Sequence, residues 1–129
     1  MKNSSTTSER EKLHWETLKW KSHLLLMDSE LYFITQLLNS YAFEQHTPNL
    51  FERLTDYKSQ IKKIEERKDK LKTRLVLHES THGDLDKPLE ITYKNEHVAI
   101  ETEVMSCIEG FQNLKLEIFN YTGGILRKV

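Results

Sequence analysis

Residues 13–41 read LHWETLKWKSHLLLMDSELYFITQLLNSY, and the spacing of the apolar side chains within them decides the fold. Leu24, Leu31 and Leu38 recur every seven positions, Trp20, Met27, Ile34 and Tyr41 fall between them at alternating intervals, and Leu13 opens the series. Seven residues make almost two helical turns, so this alternation keeps the apolar side chains in one line along a helix. Ser8 followed by Glu11 has the form of a capping box. The first helix is therefore expected over residues 8–44, with residues 1–7 a flexible tail.

The same period returns twice. Leu54, Tyr57, Ile61, Ile64, Lys68, Leu71, Leu75, His78 and His82 mark a second helix, expected over 48–82 with Thr47 as cap, Pro48 in its first turn and Gly83 as its stop. Tyr93, His97, Ile100, Val104, Cys107, Phe111, Leu114, Ile118 and Tyr121 mark a third over 87–122, which Gly123 and Gly124 are expected to release into a short tail at 125–129. Short connections make neighbouring helices antiparallel. The expected fold is all-α: an elongated up-down-up antiparallel three-helix bundle over residues 8–124 with coiled-coil-like heptad packing, each rod on the order of 50 Å long.

Composition agrees. A chain of 129 residues is one domain, and 30% charged against 37% hydrophobic residues, with four Gly and two Pro, describes a helical protein and not a disordered one. The single cysteine, Cys107, excludes an internal disulfide and stands in an apolar register as a small core residue. The opening residues are polar, and Asp28 and Glu30 interrupt the most apolar run, so neither an export signal nor a membrane span is expected. The cytoplasm is the default compartment.

The rods differ in apolar width. Helix two has a narrow seam flanked by Lys58, Lys62, Lys63, Arg67, Lys70, Lys72 and Arg74. Helix one adds Leu18, Leu25 and Tyr32 on one flank and Leu26, Phe33 and Leu37 on the other, and helix three adds Ile91, Val98, Met105 and Phe119. That exceeds what one three-helix core requires, and a monomer seldom leaves so large an apolar stripe open. The expected function is therefore non-enzymatic: a bundle acting through protein-protein contacts, as a homodimer or as a groove for an amphipathic helix of another protein, with Leu25, Tyr32, Phe33, Val98, Met105 and Phe119 at the interface. The bland reading places these residues in a thicker monomer core.

The alternative from a different class is a metal-binding helical protein. Glu11 and His14 on helix one and Glu79 and His82 on helix two form two Glu-x-x-His pairs at nearly one height, with His78 one turn before His82 and Glu90 close to that level on helix three. Carboxylates that bridge hard ions, each with a histidine one turn away, are the ingredients of a di-metal site. Against it, Glu11 and His14 fall on flanking positions and a fourth helix is missing, so polar side chains at a solvated bundle end explain the cluster. No cofactor is expected. His97, deeper in the seam, is expected to be a hydrogen-bonded register residue, and Lys68 to reach the seam's edge.

Catalytic signatures are absent: there is no Gly-x-Ser-x-Gly elbow and no glycine loop for phosphate. Residues 46–83 carry nine Lys/Arg against six Asp/Glu, and residues 84–129 carry eight acidic against five basic side chains. Helix two's cations lack interleaved aromatics, so edge charges that match an acidic neighbour explain them better than a nucleic-acid strip.

Overall fold

A computed structural model of the chain describes the backbone of residues 2–40, 43–81 and 90–125 and the side chains of 8–40, 43–81 and 90–123. Three helices, α1 (Lys2–Leu38), α2 (Leu50–Ser80) and α3 (Ile91–Ile125), form the expected bundle. Both α1 and α3 pack on α2. Ion pairs fix the directions: Lys21 meets Glu79 while Asp28 meets Lys68 and Lys72, so α1 and α2 run in opposite senses. Glu9 pairs with Lys94 and Glu30 with Lys115, so α1 and α3 run in the same sense.

The seam residues named from the period form the core. Leu24, Leu31, Ile34 and Leu38 of α1 meet Tyr57, Ile61, Leu71 and Leu75 of α2 and Ile100, Val104, Cys107, Phe111 and Ile118 of α3, all buried. Burying one such aliphatic or aromatic side chain is worth about 1.5–3 kcal/mol, which is what holds three separate rods together. The two buried threonines are satisfied inside their own helix: Thr17 Oγ1 donates to the Leu13 carbonyl at 3.0 Å and Thr122 Oγ1 to that of Ile118 at 2.8 Å. At the end where α1 stops, Arg53 donates to the Tyr57 hydroxyl at 2.7 Å and lies over the Tyr121 ring.

Helix ends differ from expectation. Helix α1 begins at Lys2, so Ser8 and Glu11 stand inside it and cap nothing, and residues 2–7 are helical rather than a tail. Extending a formed helix adds one hydrogen bond per residue and needs no start signal. The same helix stops at Leu38 and not near residue 44, where Asn39 and Ser40 donate to the Thr35 and Leu37 carbonyls. Phe43 is then buried beyond the helix end, and the connection runs over residues 39–49 rather than the short turn expected between residues 44 and 48.

Pro48 lies two residues before α2, and Asn49 takes the left-handed conformation, with φ 56°, that reverses the chain. Thr47 does not cap that helix: its hydroxyl donates back to the Glu44 carbonyl at 2.8 Å. Helix α3 continues through Gly123 and Gly124 to Ile125, because glycine inside a helix costs only about 1 kcal/mol and nothing else interrupts the run. Its first intrahelical bond runs from the Lys94 amide to the Glu90 carbonyl at 3.1 Å. Helix α3 begins at Ile91 and not at residue 87, while the expectations for Tyr41, His82 and Gly83 fall outside the described residues.

Candidate functional site

Two features stand out from the solvated surface: an apolar face made by α1 and α3, and a buried polar layer toward the N-terminal half of α1. All six residues expected at an interface are exposed, from 39% for Phe119 to 69% for Tyr32, and none of them thickens the core. They do not form one stripe. On α1, Glu9, Glu16 and Glu30 face α3 and Lys21 and Asp28 face α2. Helical spacing then puts Leu26 and Phe33 on the flank beside α3, and Leu25 and Tyr32 on the flank beside α2.

Val98, Met105 and Phe119 follow Lys94, Glu101 and Lys115 at a spacing of four residues and share the α1 side of α3. The rings of Phe33 and Phe119 meet edge to face, with centroids 6.5 Å apart. Together with Ser29, Ile34 and the Glu30–Lys115 ion pair they line a cavity of about 180 Å³ that opens in the groove between α1 and α3.

Charge is sorted across this surface. Between Ser22 and Gln36 the exposed side chains of α1 are Ser22, His23, Leu25, Leu26, Ser29, Tyr32, Phe33 and Gln36, with no Asp, Glu, Lys or Arg among them. The two acidic groups in that stretch, Asp28 and Glu30, are drawn into ion pairs with neighbouring helices. On α3 the two lysines, Lys94 and Lys115, are both held in ion pairs with α1, the exposed charges are carboxylates such as Glu101 and Glu109, and Leu116, Asn113 and Asn120 join Phe119 on its outer side. By contrast α2 is charged from Glu52 to Lys70 on every exposed flank.

The polar layer is built around two histidines. His78 on α2 and His97 on α3 are each 3% exposed, and His78 Nε2 lies 3.0 Å from His97 Nδ1. The other ring nitrogen of His97, Nε2, donates to Glu16 Oε1 of α1 at 3.1 Å. Tyr93 stacks on His78 at 4.1 Å between centroids, and Trp20 packs against His97 at 4.6 Å. All three helices thus contribute to one hydrogen-bonded line, with aromatic rings above and below it.

Ion pairs flank that line. Arg74 binds Glu96 at 2.8 Å and Glu103 at 3.2 Å, and the first of these contacts holds the Glu96 carboxyl below its ordinary range. Burial, with the Glu79 carboxylate nearby, pushes the Tyr93 phenol up. A cleft of about 440 Å³, lined by Arg74, His78, Thr81, Glu90, Tyr93 and Glu96 among others, opens between α2 and α3. A smaller one of about 200 Å³, lined by His14, Thr17, Glu79 and Tyr93, opens on the other side.

The residues of the metal alternative scatter. Glu11, His14 and Glu90 are exposed, Glu79 is held by Lys21, and His78 is buried against His97. His82 falls outside the described residues. Among the described residues, no three His, Cys, Asp or Glu side chains stand together to hold an ion. His97 is the hydrogen-bonded seam residue that its register implies. Its partners were the part not anticipated, although His78 and His97 both occupy seam positions at one height of an antiparallel pair.

Among the described residues, no helix is long and apolar enough to cross a membrane. Comparison with protein-family models, with curated proteins and with solved structures finds no match to this chain.

Proposed function

We propose that this chain is a non-enzymatic helical module that acts in the cytoplasm through protein-protein contacts, and that the partner on its α1/α3 face is a second copy of itself. The observation that carries this reading is the uncharged run from Ser22 to Gln36 on α1, beside an α3 surface whose two lysines are held in ion pairs with α1. Loss of charge at the centre, with aromatic residues and methionine in its place, is the compositional mark of a protein interface. Leu26, Phe33, Met105 and Phe119 supply those side chains, and the charged face of α2 has the opposite composition.

The uncharged run of fifteen residues is about 22 Å long, and two adjoining helices about 10 Å across present on the order of 450 Å² over that length. The roughly 800 Å² per partner of a stable association therefore also takes in the more polar ends of the face as its rim. A twofold axis brings the uncharged run of α1 together with itself, so no residue between Ser22 and Gln36 needs an unlike charge from the other side. Sedimentation equilibrium of the full chain tests it. A dimer is expected, and Phe33→Asp with Met105→Asp should raise its dissociation constant at least tenfold, because each places a carboxylate in the buried centre. A wild-type chain that stays monomeric at high concentration overturns the reading.

A further inference from the structure

The exposed apolar side chains of α1 occupy both of its flanks. Trp15, Leu18, Leu25, Leu26, Tyr32 and Phe33 are each at least 37% exposed. Leu18, Leu25 and Tyr32 form a row on the flank beside α2, and Lys19, Leu26 and Phe33 a row on the flank beside α3. Between the rows, Trp15, Ser22, Ser29 and Gln36 follow one another at seven-residue spacing along the line that faces away from the core, and all four are exposed. The only charge among these ten residues is Lys19. A partner that lies along the middle line covers both flanks at once.

We propose that α1 of one copy lies antiparallel along α1 of the other, with the twofold axis passing between Leu25 and Leu26 so that Ser22 stands opposite the partner's Ser29. The arrangement rests on the self-association proposed above and sets its direction and register. A twofold axis across two antiparallel helices joins positions at about equal distances on either side of it. About the midpoint of Leu25 and Leu26, every position of the face then has a counterpart within the face. Trp15 meets the partner's Gln36 along the middle line, while Leu18 meets the partner's Tyr32 on one flank and Lys19 meets the partner's Phe33 on the other. Leu25 and Leu26 each meet their own copies beside the axis.

Charge and shape favour this direction over a parallel one. The Lys19 ammonium gains an aromatic face from the partner's Phe33, whereas a parallel pairing of the same rows sets it on the partner's Leu18. The helix dipoles oppose one another instead of adding. Small serines meet on the middle line near the axis and the two Trp15 indoles lie apart at the ends, while a parallel pairing would stack both indoles on the axis and wedge the rods open there. Area agrees as well: from Trp15 to Gln36 the face is about 33 Å long, and with α3 alongside it offers roughly 660 Å², most of the roughly 800 Å² per partner of a stable association. Helix α3 joins in the same register. Phe119 packs on Phe33, and Met105 stands two heptads before Phe119 as Lys19 does before Phe33, so Met105 comes level with the partner's Phe33.

Cysteine pairing in the full chain tests the register. Facing positions on helices about 8–10 Å apart bring their Cα atoms to within about 5 Å, inside the range of a disulfide. The native thiol, Cys107, is buried, so the wild-type chain serves as the control. Ser22→Cys chains and tagged Ser29→Cys chains, mixed in equal amounts in a glutathione buffer, are expected to give the mixed covalent dimer, with each variant alone giving at least about tenfold less. Both substitutions fall at exposed positions, and circular dichroism checks that each chain remains helical. A Ser22→Cys chain that couples to itself as readily as to Ser29→Cys overturns the antiparallel direction. Sedimentation of the same chains separates the other failures. Chains that dimerise without forming the mixed disulfide overturn the register and leave self-association standing, whereas chains that stay monomeric overturn both.

Discussion

Lys68, buried in the apolar seam of α2, is neutralised by Asp28 of α1, whose second carboxylate oxygen takes Lys72 from the next turn. One carboxylate thereby closes the α1/α2 seam at mid-height with two cations. Asp69 on α2 adds a second, more exposed partner to Lys68 at 3.2 Å.

Removing the anion should cost more than removing the cation. Asp28→Ala leaves a buried ammonium with Asp69 alone and is expected to destabilise by about 2–3 kcal/mol, below the roughly 3–5 kcal/mol of a buried ion left with no partner. Lys68→Met fills the same volume with an apolar side chain, and Asp28 keeps Lys72. That variant should match or exceed wild-type stability. Urea midpoints of the two variants check the asymmetry, and equal losses would show that the pair is not carrying the seam in this way.

Acid should expose the same pair. Burial works to raise the Asp28 carboxyl, but hydrogen bonds and charge from Lys68 and Lys72 outweigh it and hold the group below its ordinary value. A lowered carboxyl contributes stability that is complete above the unfolded value, about pH 4, and is lost as pH falls below it. Asp28→Asn should therefore flatten the stability curve below pH 4 and leave its slope near pH 6 unchanged. Chemical denaturation at a series of pH values measures this loss.

Core and face should answer differently to truncation. Leu24 is fully buried, so Leu24→Ala is expected to cost about 2–5 kcal/mol through lost transfer energy and a residual cavity. Phe33 is 60% exposed, so Phe33→Ser should change monomer stability by under about 1 kcal/mol. Its effect should instead appear as a weaker dependence of the thermal midpoint on protein concentration. Calorimetry over a hundredfold dilution series measures both quantities.

Cys107 offers a clock for global opening. The thiol is 1% exposed and burial pushes it up, so thiolate is scarce and shielded in the native chain. A disulfide reagent should modify it only through unfolding, at a rate that rises with urea in step with the loss of helix. Rapid labelling under native conditions would place Cys107 outside the tightly packed seam.

Much of the candidate site was legible one residue at a time. Seven-residue spacing marked Leu26, Phe33, Val98, Met105 and Phe119 as apolar beyond the needs of the core, and each is exposed. It set Leu25 and Tyr32 on the opposite flank of helix one from Leu26 and Phe33 but did not say which neighbour each flank meets. Which flank of a helix meets which neighbour depends on inter-helix contacts such as Glu30–Lys115 and Asp28–Lys72, which have no signature in the spacing of either partner. The Glu-x-x-His pairs misled for the same reason: residues at one height need not point to one place, and Glu11, His14 and Glu90 point to solvent.

What the amino-acid sequence determined by itself was helical period, the buried set and the up-down-up order, since these follow from seam spacing and from two brief interruptions between long rods. Helix ends escaped it, because stopping at Leu38 and burying Phe43 is settled by packing across the bundle rather than by local caps. The joining of His78, His97 and Glu16 belongs to tertiary structure alone. Those residues sit on three different helices, and only the mutual rotation and stagger of the rods brings a nitrogen within 3.0 Å of another nitrogen and within 3.1 Å of a carboxylate.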